Sequence, residues 1–524
     1  MSNINDFWGS AKERLKPKRK ISIRPKIDYK NKILPVLSRF SSWLKYFIVR
    51  ISRLPFVLSR RDRLIVLVLF VVLSGLIGYR FYREYLIKTE IVPAIGGTFE
   101  EILIGEANYL NPILAKNDTD RIINGLIYSG LTKIDNSGNI APDLATNWEI
   151  TDENKTYTFH LRDDVNWHDG MKLSANDVAY TIEEIKDQNI KSPYFQAWED
   201  VKVETPDDLT VVFRLDNPYG PFIYNTLVGI IPAHVDSSTI SSSPIGTGPF
   251  KFSKAVSDKN KKIQEVLLVR NDNYWLDKYY LKNIKYHIVP DEKNAEKKFR
   301  SKNISAVANL RVEGEGVKSH SFPTSRHFAL LFNLTSEKFK DEALRKKIKS
   351  EENFDPKFEM SLTVLDRPLY IAQAEEIKNN FLSRGIEVKI DRRSPIEFQT
   401  IIEKRQFESM LYGFDPGYDR DPYPFWHTSE INGGMNYSGF SEKNADILLE
   451  DARMTVDPAI RNQKYDEFMN IINEKVPAIF YQNQDFIFSV KATVKGIEKI
   501  DGDEPWDHLN SIRDWYIKTK RVKP

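Results

Sequence analysis

The chain has 524 residues, 76 basic against 73 acidic side chains for a net charge of +3, and no cysteine. The missing cysteine excludes disulfides and thiolate metal sites. A composition of 41% hydrophobic and 12% aromatic residues is that of a globular chain, and its length exceeds one ordinary domain.

In chain order, residues 1–63 come first, with 17 Lys and Arg against four Asp and Glu. Pro17, Pro25, Pro35 and Pro55 interrupt this tail, which is expected to be disordered near its start and drawn to anionic inner-leaflet lipids. Residues 40–58 mix apolar with basic side chains and are expected on the membrane surface. Residues 64–79, sixteen positions without a charge, lie between Arg63 and Arg80. As a helix they span about 24 Å, slightly less than a hydrocarbon core of about 30 Å. Snorkelling arginines, with Phe81 and Tyr82 at the interface, allow residues 64–82 to cross a bilayer. A buried core helix is disfavoured, because the upstream flank is strongly basic. The positive-inside rule places the N-terminus in the cytoplasm and the C-terminal region outside the cell membrane as a single-pass protein. No small-residue cleavage site follows, so the span reads as an uncleaved signal anchor, a cleaved signal peptide being the alternative.

Further on, residues 156–162 alternate, with Tyr157, Phe159 and Leu161 on one face, as in a half-buried strand. Asp169-Gly170 is a tight-turn pair. Ser174 and Asp177 form a capping box ahead of a helix over 176–187, which puts Val178, Ile182 and Ile185 on one side. Residues 328–334 read as a buried strand, 371–384 as a helix stopped by Gly385, 386–390 as a strand and 396–405 as a helix. Asp457-Pro458 caps a helix that runs to Lys475. Strands at 477–481 and 486–490 follow.

Residues 143–178 read DLATNWEITDENKTYTFHLRDDVNWHDGMKLSANDV. The Leu-Ala-x-x-Trp element (144–148), the Tyr-x-Phe-x-Leu-Arg strand (157–162), Trp167-His168-Asp169-Gly170 and Ala175-Asn176-Asp177-Val178 together resemble the signature of the family 5 extracellular solute-binding proteins. That is the peptide/nickel-binding class of ABC transporter substrate-binding proteins. The resemblance extends to a first strand from Gly96, the loop Leu110-Asn111-Pro112, a helix over 124–131, the GTGP-aromatic turn Gly246-Thr247-Gly248-Pro249-Phe250 and the Asn-x-x-Tyr-Trp element at 271–275. It implies a two-lobed α/β periplasmic-binding-protein-like fold, type II, with an extra subdomain in the first lobe and one transmembrane helix ahead of it. The expected boundaries are a first lobe at 90–325 with an inserted subdomain at about 127–235, a second lobe at 326–489, and a return to the first lobe over 490–524. Family members carry several tens of residues after a segment like 344–348. Here the second lobe is abridged near 349–360.

Residues 411–428, LYGFDPGYDRDPYPFWHT, are rich in Asp, Gly, Pro and aromatics, which is loop chemistry. The resemblance implies a ligand cleft here. Leu411, Tyr412 and Gly413 would pair their backbone with an extended peptide, and Asp415 would meet the peptide's ammonium. Lys116, Asn117 and Asp118 would supply the opposing backbone. Trp426 would line a side-chain pocket and Asn436 would lie near the cleft. Asp419 and Asp421 lack full calcium-loop spacing, and Asp421 reads as structural. The GTGP turn reads as a backbone crossing that needs glycine, and Trp167-His168-Asp169 as a structural corner. Eight histidines form no HExxH, and neither a P-loop nor G-x-S-x-G occurs.

The reading is a monomeric, membrane-anchored, extracytoplasmic binding protein, not an enzyme and without cofactor, metal or nucleic acid. It would capture oligopeptides and deliver them to an ABC import permease with its ATPase subunits. A peptide sensor or envelope scaffold without a transport role is the alternative.

Overall fold

A computed structural model describes residues 59–276, 279–301 and 303–524. The expectations for the basic tail up to residue 58 lie outside the described residues. The described residues divide into two compact units, residues 59–90 with 522–524, and residues 91–521.

In the first unit, α1 (Arg60–Ile87) is a 28-residue helix with no buried residue. Ser59 starts it, exchanging hydrogen bonds with Asp62 in a capping box. The helix continues beyond the uncharged run at both ends, so its length is about 42 Å rather than about 24 Å. It is long and apolar enough to cross a membrane.

The second unit is built on a ten-stranded mixed sheet. Its strands are β1 (Thr98–Ile104), β6 (Phe250–Ser257), β7 (Ile263–Arg270), β8 (Asn283–Val289), β9 (Ala306–Ala308), β10 (Val317–Phe332), β11 (Phe358–Leu365), β12 (Ile386–Arg393), β13 (Ser409–Phe414) and β14 (Ala478–Lys491). They lie in the order β12-β11-β13-β10-β14-β9-β1-β8-β7-β6. A separate four-stranded antiparallel sheet is formed by β2 (Ala145–Thr151), β3 (Thr156–Leu161), β4 (Lys202–Asp207) and β5 (Thr210–Arg214), in the order β2-β3-β5-β4. This sheet falls inside the segment expected as an insertion. Its inner face joins the largest core, where Trp198 meets Phe213 and Phe222 edge-on, each at 5.3 Å.

The cores lie at different places along the large sheet. One gathers residues around Phe99, Phe159, Phe250 and Trp515. Two others, around Leu362 and Phe381 and around Phe414 and Phe468, cover the opposite faces of the β10–β13 region. Only β10 and β14 run through both regions. The strand expected at 328–334 is the end of the 16-residue β10, and the two strands expected near the end of the chain are the single 14-residue β14. Their antiparallel register slips between Pro323 and His327 and again before Ala329. There Ser325 turns away and donates its amide to Asp503 O at 2.9 Å.

Local signals formed as read. Ser174 and Asp177 make the capping box of α3 (Ala175–Lys186), and Asp457 caps α5 (Pro458–Lys475). The helix expected at 124–131 is displaced: α2 spans Asp118–Ile127 with Asn117 as its cap. The reason is that Asn117 satisfies the amide of Asp120 at 2.9 Å, which fixes the start earlier in the chain.

The GTGP turn is a close backbone crossing. A Cβ on Gly246 would lie 1.9 Å from Ile127 O. His168 braces this crossing, accepting from Gly246 N on Nδ1 at 3.2 Å and donating from Nε2 to Gly248 O at 3.0 Å. Burial pulls its pKa down to about 4, so the ring stays neutral near pH 7. Gly246→Ala is therefore expected to cost at least about 2 kcal/mol, because backbone on both sides must move. Urea unfolding checks this, and an unchanged midpoint would contradict it.

Candidate functional site

Helix α2 brings its N-terminus, the loop after β13 and the returning segment 503–507 to one place beside the register slip of β10. Arg326, in that slip, connects all three. It forms a two-pronged pair with Asp118, Nη1 to Oδ2 at 2.7 Å and Nη2 to Oδ1 at 2.8 Å. Nη2 also stands 3.2 Å from Asp415 Oδ2 and 3.2 Å from Glu504 Oε2. Glu504 is almost fully buried, and its Oε1 accepts from Ser325 Oγ at 2.8 Å. Burial works against the charge of Arg326, but Asp118, Asp415 and Glu504 together hold its pKa above the ordinary value. Burial, with the nearby Asp415 charge, pushes the Glu504 carboxyl up to about 8 despite Arg326. Glu504 is thus largely a neutral acid at pH 7.

Asp415 and Glu504 both border a cavity of about 420 Å³. Tyr128, Tyr194, Tyr224 and Trp506 supply its aromatic lining. The Trp506 ring has Arg121 over it at 4.8 Å and Arg326 at 5.8 Å. Its indole N–H donates to Tyr418 Oη at 2.7 Å, and Tyr418 donates to Asp507 Oδ1 at 2.6 Å. Tyr418 and Trp506 also border a second cavity of about 540 Å³. That second chamber reaches Lys133 and Asp143, a pair 3.5 Å apart, where burial pushes Asp143 up to about 6.

Of the residues expected from sequence to contact a ligand, Asp415 lies in the lining of the first cavity. Its carboxylate, 46% exposed, faces Arg326. Asp118 is the other half of the Arg326 fork. Lys116 is exposed, and the Asn117 side chain caps α2 from an extended backbone.

The 411–413 segment has one free edge, and a side chain covers part of it. Leu411 is fully buried, and Tyr412 packs against Phe414 and Tyr437 at 4.9 and 5.4 Å. The ladder between β11 and β13 is confined to Leu362–Ser409 and Thr363–Met410, which leaves 411–413 without a partner strand on that side. Tyr370, near the start of α4 (Pro368–Leu382), covers Gly413, its hydroxyl 2.5 Å from where a Cβ would stand.

Two expectations are corrected. Trp426 is 3% exposed and stacks on Phe414 at 6.0 Å, so it is core rather than pocket wall. Asn436 is fully buried: its Nδ2 donates to the carbonyls of Trp426, His427 and Phe440, and its Oδ1 receives Gly439 N and Phe440 N. It holds a loop together. Asp421 is structural, as read, pairing with Arg453 Nε at 2.8 Å. Asp419 is held by Arg461 Nε at 2.8 Å and by Tyr465 Oη at 3.0 Å. Among the described residues no group of three His, Asp or Glu could hold a metal ion.

Sequence reasoning missed Arg326, Glu504 and the aromatic walls. No local motif marks them, because Arg326 reaches Asp118 across 208 positions and Glu504 across 178.

Comparison with known proteins matches part of the chain to a family model and most of it to a fold. Residues 139–350 match the model of the bacterial extracellular solute-binding proteins, family 5 Middle. The oligopeptide-binding protein AppA of Bacillus subtilis (strain 168) is 23% identical over 541 residues, covering 86% of this chain and 97% of its own. Among solved structures, NikZ from Campylobacter jejuni in complex with Ni(L-His) is similar with a TM-score of 0.65 at 24% identity, covering 80% of this chain and 99% of that one. AppA from Bacillus subtilis in complex with a nonapeptide gives 0.64 at 22% identity, covering 82% and 100%. At these identities the structures speak for the fold alone.

Proposed function

We propose, from the premise that this chain belongs to the family 5 extracellular solute-binding proteins through residues 139–350, that it captures short peptides outside the cytoplasm and passes them to an ABC import permease. The observation that carries this reading is the aromatic cavity with a carboxylate at its border, built from segments on both sides of the β10 register slip. A volume of about 420 Å³ lies within the usual range for small-ligand sites. Aromatic walls suit varied side chains, and Asp415 can accept from a peptide amine or amide. The similarity to the oligopeptide-binding protein AppA, over 86% of this chain, supports a peptide over other solutes.

In this reading residues 90–325 and 326–489 act as lobes that close about the slip in β10 and β14, which is hinge motion. Helix α1 holds the domain at the membrane, with the N-terminus inside. Asp415 is a ligand contact; peptide pairing along 411–413 first requires Tyr370 to swing off Gly413. The protein hydrolyses nothing, and ATPase subunits of the transporter supply the energy.

The test is calorimetric titration of the full-length protein in detergent with a pool of di- to octapeptides. Trp506→Ala should weaken binding at least about tenfold, as expected for losing an aromatic wall that a ligand packs on, with thermal unfolding confirming that the variant is folded. Folded wild-type protein that binds no peptide would remove the importer reading in favour of a scaffold.

A further inference from the structure

Resting on the reading of the cavity as a peptide site, we propose that Arg326 is a specificity-determining residue: its guanidinium fills the counter-ion role that a peptide's terminal ammonium would otherwise fill at Asp415, so the cavity does not select for a free amino terminus. The geometry makes this an internal substitution. Asp415, the carboxylate that borders the cavity, has a cation 3.2 Å away before any ligand arrives. That cation cannot readily leave. Both terminal nitrogens are forked onto Asp118 at 2.7 and 2.8 Å, the Glu504 carboxyl oxygen stands at 3.2 Å, and the guanidinium lies by the Trp506 ring. A lysine offers a point charge, whereas this planar fork matches carboxylates at fixed angles.

A site rejects a ligand that lacks a charged group chiefly because its own buried partner is then left unpaired. Here an N-blocked peptide leaves Asp415 with Arg326, the same partner it had in the empty site. Little is lost, and little discrimination follows. Remove Arg326, and the Asp118 and Asp415 carboxylates lose the cation they share, a setting that favours an incoming ammonium.

The experiment measures calorimetric Kd values of the full-length protein in detergent at pH 7 for trialanine and N-acetyl-trialanine. In the wild type the two are expected to agree within about threefold. In Arg326→Gln the free amine is expected to win by at least about tenfold, while Arg326→Lys, which keeps the charge, stays near the wild-type ratio. A wild-type preference of tenfold or more for the free amine overturns the inference and leaves the peptide reading standing. An unchanged ratio in folded Arg326→Gln overturns it as well. If Arg326→Gln fails to fold, the wild-type ratio and Arg326→Lys decide. Folded wild type that binds neither peptide removes the peptide reading and this inference together.

Discussion

Arg461→Ala is expected to lower the unfolding free energy by about 3–5 kcal/mol, the range for breaking a buried ion pair by removing one partner. Arg461 projects from α5 and is 1% exposed. Its Nε donates to Asp419 at 2.8 Å, and Nη1 donates to the carbonyls of Thr455 and Val456 at 2.8 and 3.0 Å. Without it, Asp419 keeps only the Tyr465 hydroxyl, and two carbonyls lose their donor. There is no slack nearby, since a Cβ on Gly220 would meet Thr455 O at 2.0 Å. Adding Asp419→Ala should recover part of the loss, because the orphaned charge is then gone. Urea denaturation of both variants is the measurement, and a loss below about 1 kcal/mol for the single change would show the pair to be solvated.

The second large effect is a fall in stability as pH rises from about 6.5 to 8, by about 1–2 kcal/mol, carried by Glu504. Its carboxyl is pushed up to about 8 in the fold, chiefly by burial, from an ordinary value of 4.5. Between those values the folded chain holds a proton that the unfolded chain has released. Stability therefore declines with rising pH across this window and levels off once the folded acid has ionised. Asp143, pushed up to about 6, acts in the same direction at lower pH. His168, pulled down to about 4 from 6.5, acts the opposite way: the unfolded ring takes up a proton below 6.5 and the buried one does not, so acid costs stability. These opposing groups meet below pH 6.5, which leaves the window above it to Glu504. Glu504→Gln should flatten the profile there, as read by chemical denaturation at fixed temperature. A slope that persists in the variant would assign it to other groups.

Much of the scaffold was legible because its causes are local. The Ser174–Asp177 box, the Asp457-Pro458 start and the alternation of Tyr157, Phe159 and Leu161 each act over a few residues. The glycines of the GTGP turn announced a crossing, although not that Ile127 was the chain being crossed. The site was far less legible. Asp415 was found, but a sequence does not show that Arg326, 89 positions earlier, already faces it. Trp426 and Asn436 sit in a segment rich in loop residues, where exposure is the natural expectation. The structure instead gives Trp426 to the stack on Phe414 and turns Asn436 inward onto three carbonyls. The aromatic walls were invisible because Tyr128, Tyr224 and Trp506 come from three separate segments.

The long pair β10 and β14 also bears on the order in which the protein can be made. β9 lies between β1 and β14, and Trp515 packs edge-on against Phe99 at 5.4 Å. The core around Phe99 is thus completed by a residue 416 positions further along the chain, Trp515. Until Phe488 and Trp515 have emerged, the strands from β1 to β9 lack one wall and show apolar surface to whatever surrounds them. The core around Phe99 therefore cannot close until the segment carrying Phe488 and Trp515 has joined it, and the topology postpones its maturation to that moment.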